Sequence, residues 1–153
     1  MKKVDDLDLK LLIELKKNCN TSIPLLSKKF GINSSVLYSR INRLVKKKII
    51  TKFTIETDDS QLGIGVKALV GINRDPKDKS TIHKMLMDIP YVVSIYEVTG
   101  RFDIIIRIFS EDLEQLHSVI IEKIGNIVGI TSTETFVELQ KTTKDPVYLT
   151  KSL

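Results

Sequence analysis

The second half of the chain repeats one order of patterns, strand then helix then strand, between residues 66 and 137. Its four candidate strands, which are rich in alternating apolar residues, are Val66–Asn73, Val92–Thr99, Phe102–Phe109 and Ile130–Val137. Residues 78–88 and a segment that begins at Ser110 space their apolar residues at helical intervals instead. Strand, helix and strand twice in succession predict a ferredoxin-like βαββαβ domain, in which two helices cover one face of four antiparallel strands.

The third candidate strand carries apolar side chains on both of its faces. Phe102, Ile104, Ile106 and Ile108 share one face, whereas Ile105 and Phe109 share the other. Because two helices can cover only one face of such a sheet, apolar residues on the second face indicate burial against another subunit. The sequence therefore predicts a homodimer at least, formed through this domain. The alternative is that a few apolar side chains are simply exposed to solvent.

The first 48 residues predict three short helices. Pro24 suits the first turn of the second helix, and Gly31 suits a tight turn with positive φ before the third. The third helix runs from Asn33 or Ser34 to about Lys47, and its predicted buried stripe is Leu37, Ile41, Leu44 and Val45. A short helix, a tight turn and a second helix with a polar outer face are typical of the helix-turn-helix, whose second helix enters the major groove of DNA.

Charge is distributed unevenly along the chain. Residues 1–57 hold 13 Lys/Arg and 5 Asp/Glu, a net charge of +8, whereas residues 58–153 hold 11 and 14, a net charge of −3. No carboxylate occurs between Glu14 and Glu56, yet ten basic residues do. A stretch of this length without one acid favours a polyanionic partner over a solvated surface that happens to be basic. Double-stranded DNA is the expected partner.

Taken in order, the motifs of the chain resemble those of the Lrp/AsnC family, also called feast/famine regulators, over nearly the whole length. The segments that carry the resemblance are Asp5–Asp8 with Leu11 and Leu12, Leu26–Asn33, Val36–Ile50, Val98–Asp103 and Thr133–Thr135. The resemblance implies a promoter-binding dimer that builds into tetramers, octamers or larger assemblies. It also implies an effector, an amino acid or a related metabolite, held between dimers. Two departures are Lys47-Lys48, where the family often has Gly, and Arg101, where an acidic or polar residue is common.

Four segments follow from these patterns. They are a helix-turn-helix domain at 1–50, a linker strand and turn at 51–63, an effector-binding and oligomerisation domain at 64–140, and a tail at 141–153. The linker strand is expected because residues 49–57 alternate and are β-branched. The predicted fold class is therefore α+β, with a winged-helix-like N-terminal domain and a ferredoxin-like C-terminal domain.

DNA binding needs cations for phosphates and polar side chains for base edges. The candidates for phosphate are Lys28, Lys29, Arg40, Arg43, Lys46, Lys47 and Lys48. The candidates near the bases are Ser34, Ser35, Tyr38, Ser39 and Asn42. Asn42 is the most informative of these, because an amide can pair bidentately with adenine. An internal role for Arg40, near the core edge, is an equal alternative.

For the effector, the resemblance points to a turn and to the last strand. The candidate residues are Thr99, Gly100, Arg101, Phe102, Asp103, Thr133 and Thr135. Asp103 can supply an anion for an ammonium group, and Arg101 can meet a carboxylate. Gly100 lets ligand and backbone approach closely. The alternative is a tight hairpin turn with Asp103 in a surface ion pair.

Other classes of function have weaker support in the sequence. Some haem-pathway decarboxylases share this two-domain architecture, but only His83 and His117 are present to handle protons or haem. The sequence holds no paired metal ligands and a single cysteine, Cys19, so we expect no enzyme activity, cofactor or metal site. A protein that coats DNA with little sequence preference is a third alternative. The absence of an apolar leader or span favours a cytoplasmic protein without a membrane partner.

Overall fold

The computed structural model describes residues 4–144 and divides the chain into two compact units, with the break between Glu56 and Thr57. The first unit contains three helices, α1 (Asp6–Lys17), α2 (Ile23–Phe30) and α3 (Ser34–Lys46). Its core consists of Leu11, Leu15, Leu26 and Leu37. Helices this short are stabilised mainly by packing of their apolar faces. The three helices predicted from the sequence are confirmed.

Capping residues define where the helices begin and end. Asp5 caps α1 in a reciprocal capping box with Asp8, and Asn33 caps α3 by accepting a hydrogen bond from the Ser35 N–H. Gly31 ends α2 with φ 64°, the left-handed conformation that the sequence predicts. After α3, Lys48 adopts φ 55°. A lysine therefore takes the left-handed position that a glycine would occupy with less strain.

Two expectations for the first unit differ from the structure. Val45 was assigned to the buried stripe of α3, but its side chain is 41% exposed, whereas Leu37 and Leu44 are buried. At about 100° per residue, Val45 lies roughly 100° around the helix from the buried Leu44, at the edge of the apolar stripe. The predicted strand at 49–57 is wrong, since residues 51–57 have no regular structure and are exposed. A strand needs a hydrogen-bonding neighbour, and the described part of this chain supplies none there.

The second unit is a four-stranded sheet with helices on one side. Its elements in chain order are β1 (Val66–Arg74), α4 (Lys79–Met87), β2 (Val92–Glu97), β3 (Ile104–Ser110), α5 (Leu113–Ser118), which continues as a π-helical segment (Val119–Ile124), and β4 (Ile130–Val137). The strand order is β2-β3-β1-β4, and every neighbouring pair is antiparallel. This order confirms the predicted ferredoxin-like fold.

The two faces of this sheet differ in their environment. On the helix side, Val70, Ile72 and Ile106 are fully buried against residues of α4 and α5 such as Ile82 and Leu116. We call the other face the open side of the sheet. Its apolar residues include Leu69, Tyr96, Ile105, Phe109 and Phe136. The sheet thus buries one face within the chain and presents apolar side chains on the other, as β3 predicts.

Candidate DNA-binding and effector surfaces

The outer face of α3 forms a shallow concave surface. Its lining residues are Tyr38, Ser39, Asn42, Arg43, Lys46 and Lys47, all of which are sequence-predicted candidates. Tyr38 is 58% exposed, and Ser39 and Lys46 are also exposed, whereas Asn42 is half-buried. A helix that carries hydroxyl, amide and ammonium groups on one accessible face can hydrogen-bond base edges and neutralise phosphates.

Two other candidates at the start of α3 have local roles. Ser35 donates from both its N–H and its Oγ to Asn33 Oδ1, at 3.0 and 2.9 Å. Ser34, the first residue of the helix, is half-buried. Ser35 thus takes part in the N-terminal cap of α3, where a phosphate can also approach the backbone N–H groups of the helix end.

Arg40 and Arg43 are paired with carboxylates of α1. Arg40 Nη1 lies 2.6 Å from Asp5 Oδ2 and 2.9 Å from Asp8 Oδ1, and Arg43 Nη2 donates to Asp8 Oδ2. The side chain of Asp8 is fully buried, and no other charged residue whose burial the structure describes is. The internal role that the sequence left open for Arg40 is therefore present, and Arg43 shares it.

A third predicted cation is also paired across helices. Lys29 Nζ of α2 lies 2.6 Å from Glu14 Oε2 of α1. This partnership of α1 acids with α2 and α3 cations does not follow from local sequence patterns, because the partners lie 15 to 35 residues apart. One signal of this pairing was available. Helices α2 and α3 carry cations and no carboxylate, so any carboxylate that pairs with these cations must come from another segment. Lys28 and Lys46 are exposed on α2 and α3.

Acid is expected to weaken the contact between α1 and α3. The hydrogen bond from Arg40, followed by that from the Asp8 N–H, holds the pKa of Asp5 below its ordinary value. Because the folded pKa is lowered, this contribution to stability is present above the unfolded pKa of about 3.9 and is lost as pH falls through the folded value. Asp5→Asn should therefore unfold with a shallower pH dependence below about pH 4, as measured by circular dichroism. Identical acid-unfolding profiles for the two proteins would contradict this expectation.

The predicted effector turn joins β2 to β3. Gly100 has φ 135°, a backbone conformation that side chains rarely allow. Asp103 anchors the turn to the end of β1, because its N–H donates to Ile72 O at 3.1 Å and its Oδ2 accepts from the Arg74 N–H at 3.0 Å. The carboxylate that was expected to face a ligand ammonium thus already accepts one backbone hydrogen bond.

Next to the turn, Phe102 lies on the open side of the sheet above Gly71. The prediction that it shares the face of Ile104 is wrong, because β3 begins at Ile104 and the alternation of a strand does not extend into the turn. A Cβ added to Gly71 would lie 2.6 Å from three carbons of the Phe102 ring, so only glycine leaves room for it. Phe102 also meets Phe136 of β4 edge-on, with 6.2 Å between ring centroids. Arg101 packs over the Phe102 ring and lies 2.7 Å from Glu134 Oε2.

The threonines of β4 lie apart from this cluster. Thr133 and Thr135 are opposite Ile72 and Val70, which face the helices, whereas Glu134 is opposite Gly71 on the open side. Within one chain, the structure therefore brings Arg101 and Phe102 to Glu134 and Phe136, and it does not bring them to the two threonines. Glu134 and Phe136 were missed because the motif that carries the resemblance highlights the alternate residues. The period of two in a strand was the available signal.

The described residues offer neither a metal site nor a membrane-spanning helix. In residues 4–144, no cluster of three or more His, Cys, Asp and Glu could hold a metal ion. His83 and His117 are exposed on α4 and α5. No helix within the described residues is long and apolar enough to span a bilayer.

Two family models match the chain. One is described as the Lrp/AsnC ligand binding domain and matches residues 67–148, and the other is described as a winged helix-turn-helix DNA-binding domain and matches residues 4–51. An uncharacterized HTH-type transcriptional regulator of Pyrococcus furiosus is 36% identical over 137 residues, which cover 88% of this chain and 91% of that protein. The regulatory protein AsnC of Escherichia coli K12 is 32% identical over 138 residues, with coverage of 90% and 91%.

Solved structures agree with the sequence matches. The structure of Escherichia coli AsnC superposes with a TM-score of 0.86 at 30% identity and covers 95% of this chain and 99% of its own. The feast or famine regulatory protein of M. tuberculosis, complexed with L-methionine, superposes with a TM-score of 0.84 at 21% identity and coverage of 95% and 99%. At that identity, the second likeness shows the fold.

Proposed function

Because this chain belongs to the Lrp/AsnC family of transcriptional regulators, we propose that α3 reads promoter DNA and that the domain of the sheet senses an amino acid. The protein is a DNA-binding regulator with a helix-turn-helix domain, and it is not an enzyme. A regulator of this kind works in the compartment that holds the DNA, in agreement with the cytoplasmic location expected from the sequence.

The concave outer face of α3 is the observation that supports DNA recognition by this helix. In the proposed complex, Asn42 and the hydroxyls of Tyr38 and Ser39 meet base edges in the major groove, and Lys46 neutralises a phosphate. Lys28, Lys47 and Lys48 add to the phosphate contacts. A bidentate contact from Asn42 to adenine would contribute about 1–3 kcal/mol of discrimination.

For the sensor, we propose that the effector is an amino acid bound between dimers near the turn at 99–103. The relative from M. tuberculosis has L-methionine as its ligand, which supports this chemical class. Arg101 is 77% exposed at its side chain and suits an incoming carboxylate. In this arrangement, Thr133 and Thr135 would reach the ligand from a second dimer. Binding that favours one assembly over another changes DNA affinity through linkage.

Assembly begins, in this proposal, with a homodimer through the open side of the sheet. Leu69 is 40% exposed, Tyr96 55% and Phe136 48%, and these side chains share one face of the sheet. A sheet face that exposes several large apolar side chains is typical of a subunit interface. Tetramers and octamers would then follow by contacts between dimers.

Replacement of Asn42 and Lys46 tests this function. We expect Asn42→Ala with Lys46→Glu to abolish retention of the gene's own upstream DNA in gel shifts, while sedimentation still reports the wild-type assembly. Unchanged affinity would contradict the assignment of this face. A footprint with discrete half-sites spaced by helical turns is expected, whereas continuous protection would favour a protein that coats DNA.

The sensor is tested separately with the twenty amino acids. At least one is expected to raise the Tm of the wild-type protein and to shift its sedimentation, since a ligand that binds only the folded state stabilises it. Arg101→Ala should abolish both effects and leave the unliganded Tm within a few degrees. A screen without any hit would contradict the amino-acid assignment and leave the DNA-binding assignment intact.

A further inference from the structure

The four charged groups between α1 and α3 form a closed network, which we call the acid–arginine network: Asp5, Asp8, Arg40 and Arg43. Asp8 uses both carboxylate oxygens, Oδ1 toward Arg40 and Oδ2 toward Arg43, and Oδ2 also accepts from the Asp5 N–H at 3.1 Å. Asp5 receives Arg40 Nη1 at 2.8 and 2.6 Å on its two oxygens. Two carboxylates thus compensate two guanidinium groups.

The network occupies the border of the DNA-reading surface. Arg43 lines the concave face of α3 next to Asn42, yet its guanidinium reaches back to the buried Asp8. The side chains of Arg40 and Arg43 are only 24% and 31% exposed. A guanidinium whose charge is already matched by a carboxylate gains little from a phosphate and releases little counterion when DNA binds.

We propose that Asp8 is a positioning residue for DNA recognition, with Arg43 as the side chain through which it acts. By holding Arg40 and Arg43, which lie one turn apart on α3, Asp8 fixes the rotation of α3 and the place of Asn42 on its outer face. Asp8 also keeps the guanidinium groups of Arg40 and Arg43 from neutralising phosphates. Sequence discrimination would then depend on the network, whereas affinity for any DNA would depend on the lysines. This inference rests on the proposed function of α3.

The test measures the slope of log Kobs against log salt concentration on a duplex of unrelated sequence. Asp8→Asn with Arg43→Gln removes one charge of each sign, so the net charge of the domain is unchanged. If Arg43 does not neutralise a phosphate, this double variant keeps the wild-type slope. The matched control Lys46→Gln, on the next turn of the same helix, should lower the slope by about 0.9, the value for one lost phosphate contact.

A second measurement reports positioning. For Asp8→Asn alone, we expect the slope to become steeper by up to about 0.9, because Arg43 loses its carboxylate and becomes available to a phosphate, whereas Arg40 keeps Asp5. We also expect at least a tenfold fall in discrimination between unrelated DNA and a duplex that the wild-type protein selects from a random pool. A residue that only stabilised the fold would lower the Tm and move neither quantity. If Asp8→Asn does not fold, Asp5→Asn, at the exposed end of the network, should show the same two changes at smaller size.

Three outcomes would separate the possible failures. If the salt dependence of the double variant is as much shallower than the wild type as that of Lys46→Gln, Arg43 contacts phosphate directly and the inference is overturned. If Asp8→Asn folds and keeps the wild-type discrimination, Asp8 does not position α3. If the wild-type protein shows no salt-dependent binding to either duplex, the proposed DNA-binding function itself fails.

Discussion

Gly71→Val is expected to displace Phe102 from the open side of the sheet and to lower the Tm of the protein markedly. The Cβ alone would lie 2.6 Å from three ring carbons, and Gly71 is held between β3 and β4, so the strand cannot move away. Overpacking of this kind costs about 1–3 kcal/mol. In a domain of this size, each kcal/mol lowers the Tm by about 4–8 °C. Differential scanning calorimetry gives the measurement.

A double-mutant cycle provides the control for this prediction. Phe102→Ala removes the ring that the new side chain would meet, so Gly71→Ala should cost much less in that background than in the wild-type protein. Because Arg101 packs on Phe102, the same displacement should also release Arg101 from Glu134 and abolish any response to an amino acid. Equal costs of Gly71→Ala in both backgrounds would contradict the packing described for Phe102.

Leu69→Glu is expected to convert the proposed homodimer into a monomer. Leu69 lies at the centre of the open side, between Arg107 of β3 and Phe136 of β4. A two-fold interface contains each substitution twice. The neighbouring Arg107 is already paired with Glu138, so it would compensate the buried carboxylate only in part, which is strongly unfavourable. Sedimentation velocity should report the mass of one chain, and affinity for paired DNA half-sites should fall with it.

Met87→Glu is the matched control. Met87 is 57% exposed on α4, which packs on the helix side of the sheet, so the same new charge should leave the sedimentation unchanged. Since Leu69 is itself 40% exposed in the single chain, neither substitution should prevent the domain from folding. A Leu69→Glu protein that remains dimeric would place the subunit interface elsewhere.

The regular elements could be predicted because their patterns are local. Alternation along β1 and β3, helical spacing in α3 and the left-handed Gly31 each follow from a few neighbouring residues. The strand at 49–57 has an equally clear alternation, but a strand also requires a neighbour, and local sequence cannot supply that information. Val45 shows a similar limit, because helical spacing alone does not say how wide the buried stripe is, and Val45 lies at its edge.

The candidate surfaces could be predicted only in part. The residues on the outer face of α3 follow from helical geometry, whereas the role of Asp8 depends on contacts with residues 32 to 35 positions away. Local sequence predicts a phosphate contact for Arg43 and leaves Arg40 open between phosphate and an internal role, because a count of charge cannot pair either arginine with the acids of α1. At the effector turn, the Thr-x-Thr motif predicts site residues on one face of β4. The register with β1 instead places Glu134 and Phe136, on the other face, beside Arg101 and Phe102.

The burial of Asp8 beneath α3 has a consequence for redesign. An exchange of the recognition helix between relatives changes its inward contacts as well as the outer residues that meet the operator. In this protein, transfer of α3 without α1 would add or remove guanidinium groups and leave the carboxylates of α1 without their partners. Respecification of this protein therefore calls for the first and third helices to be transplanted as a matched pair.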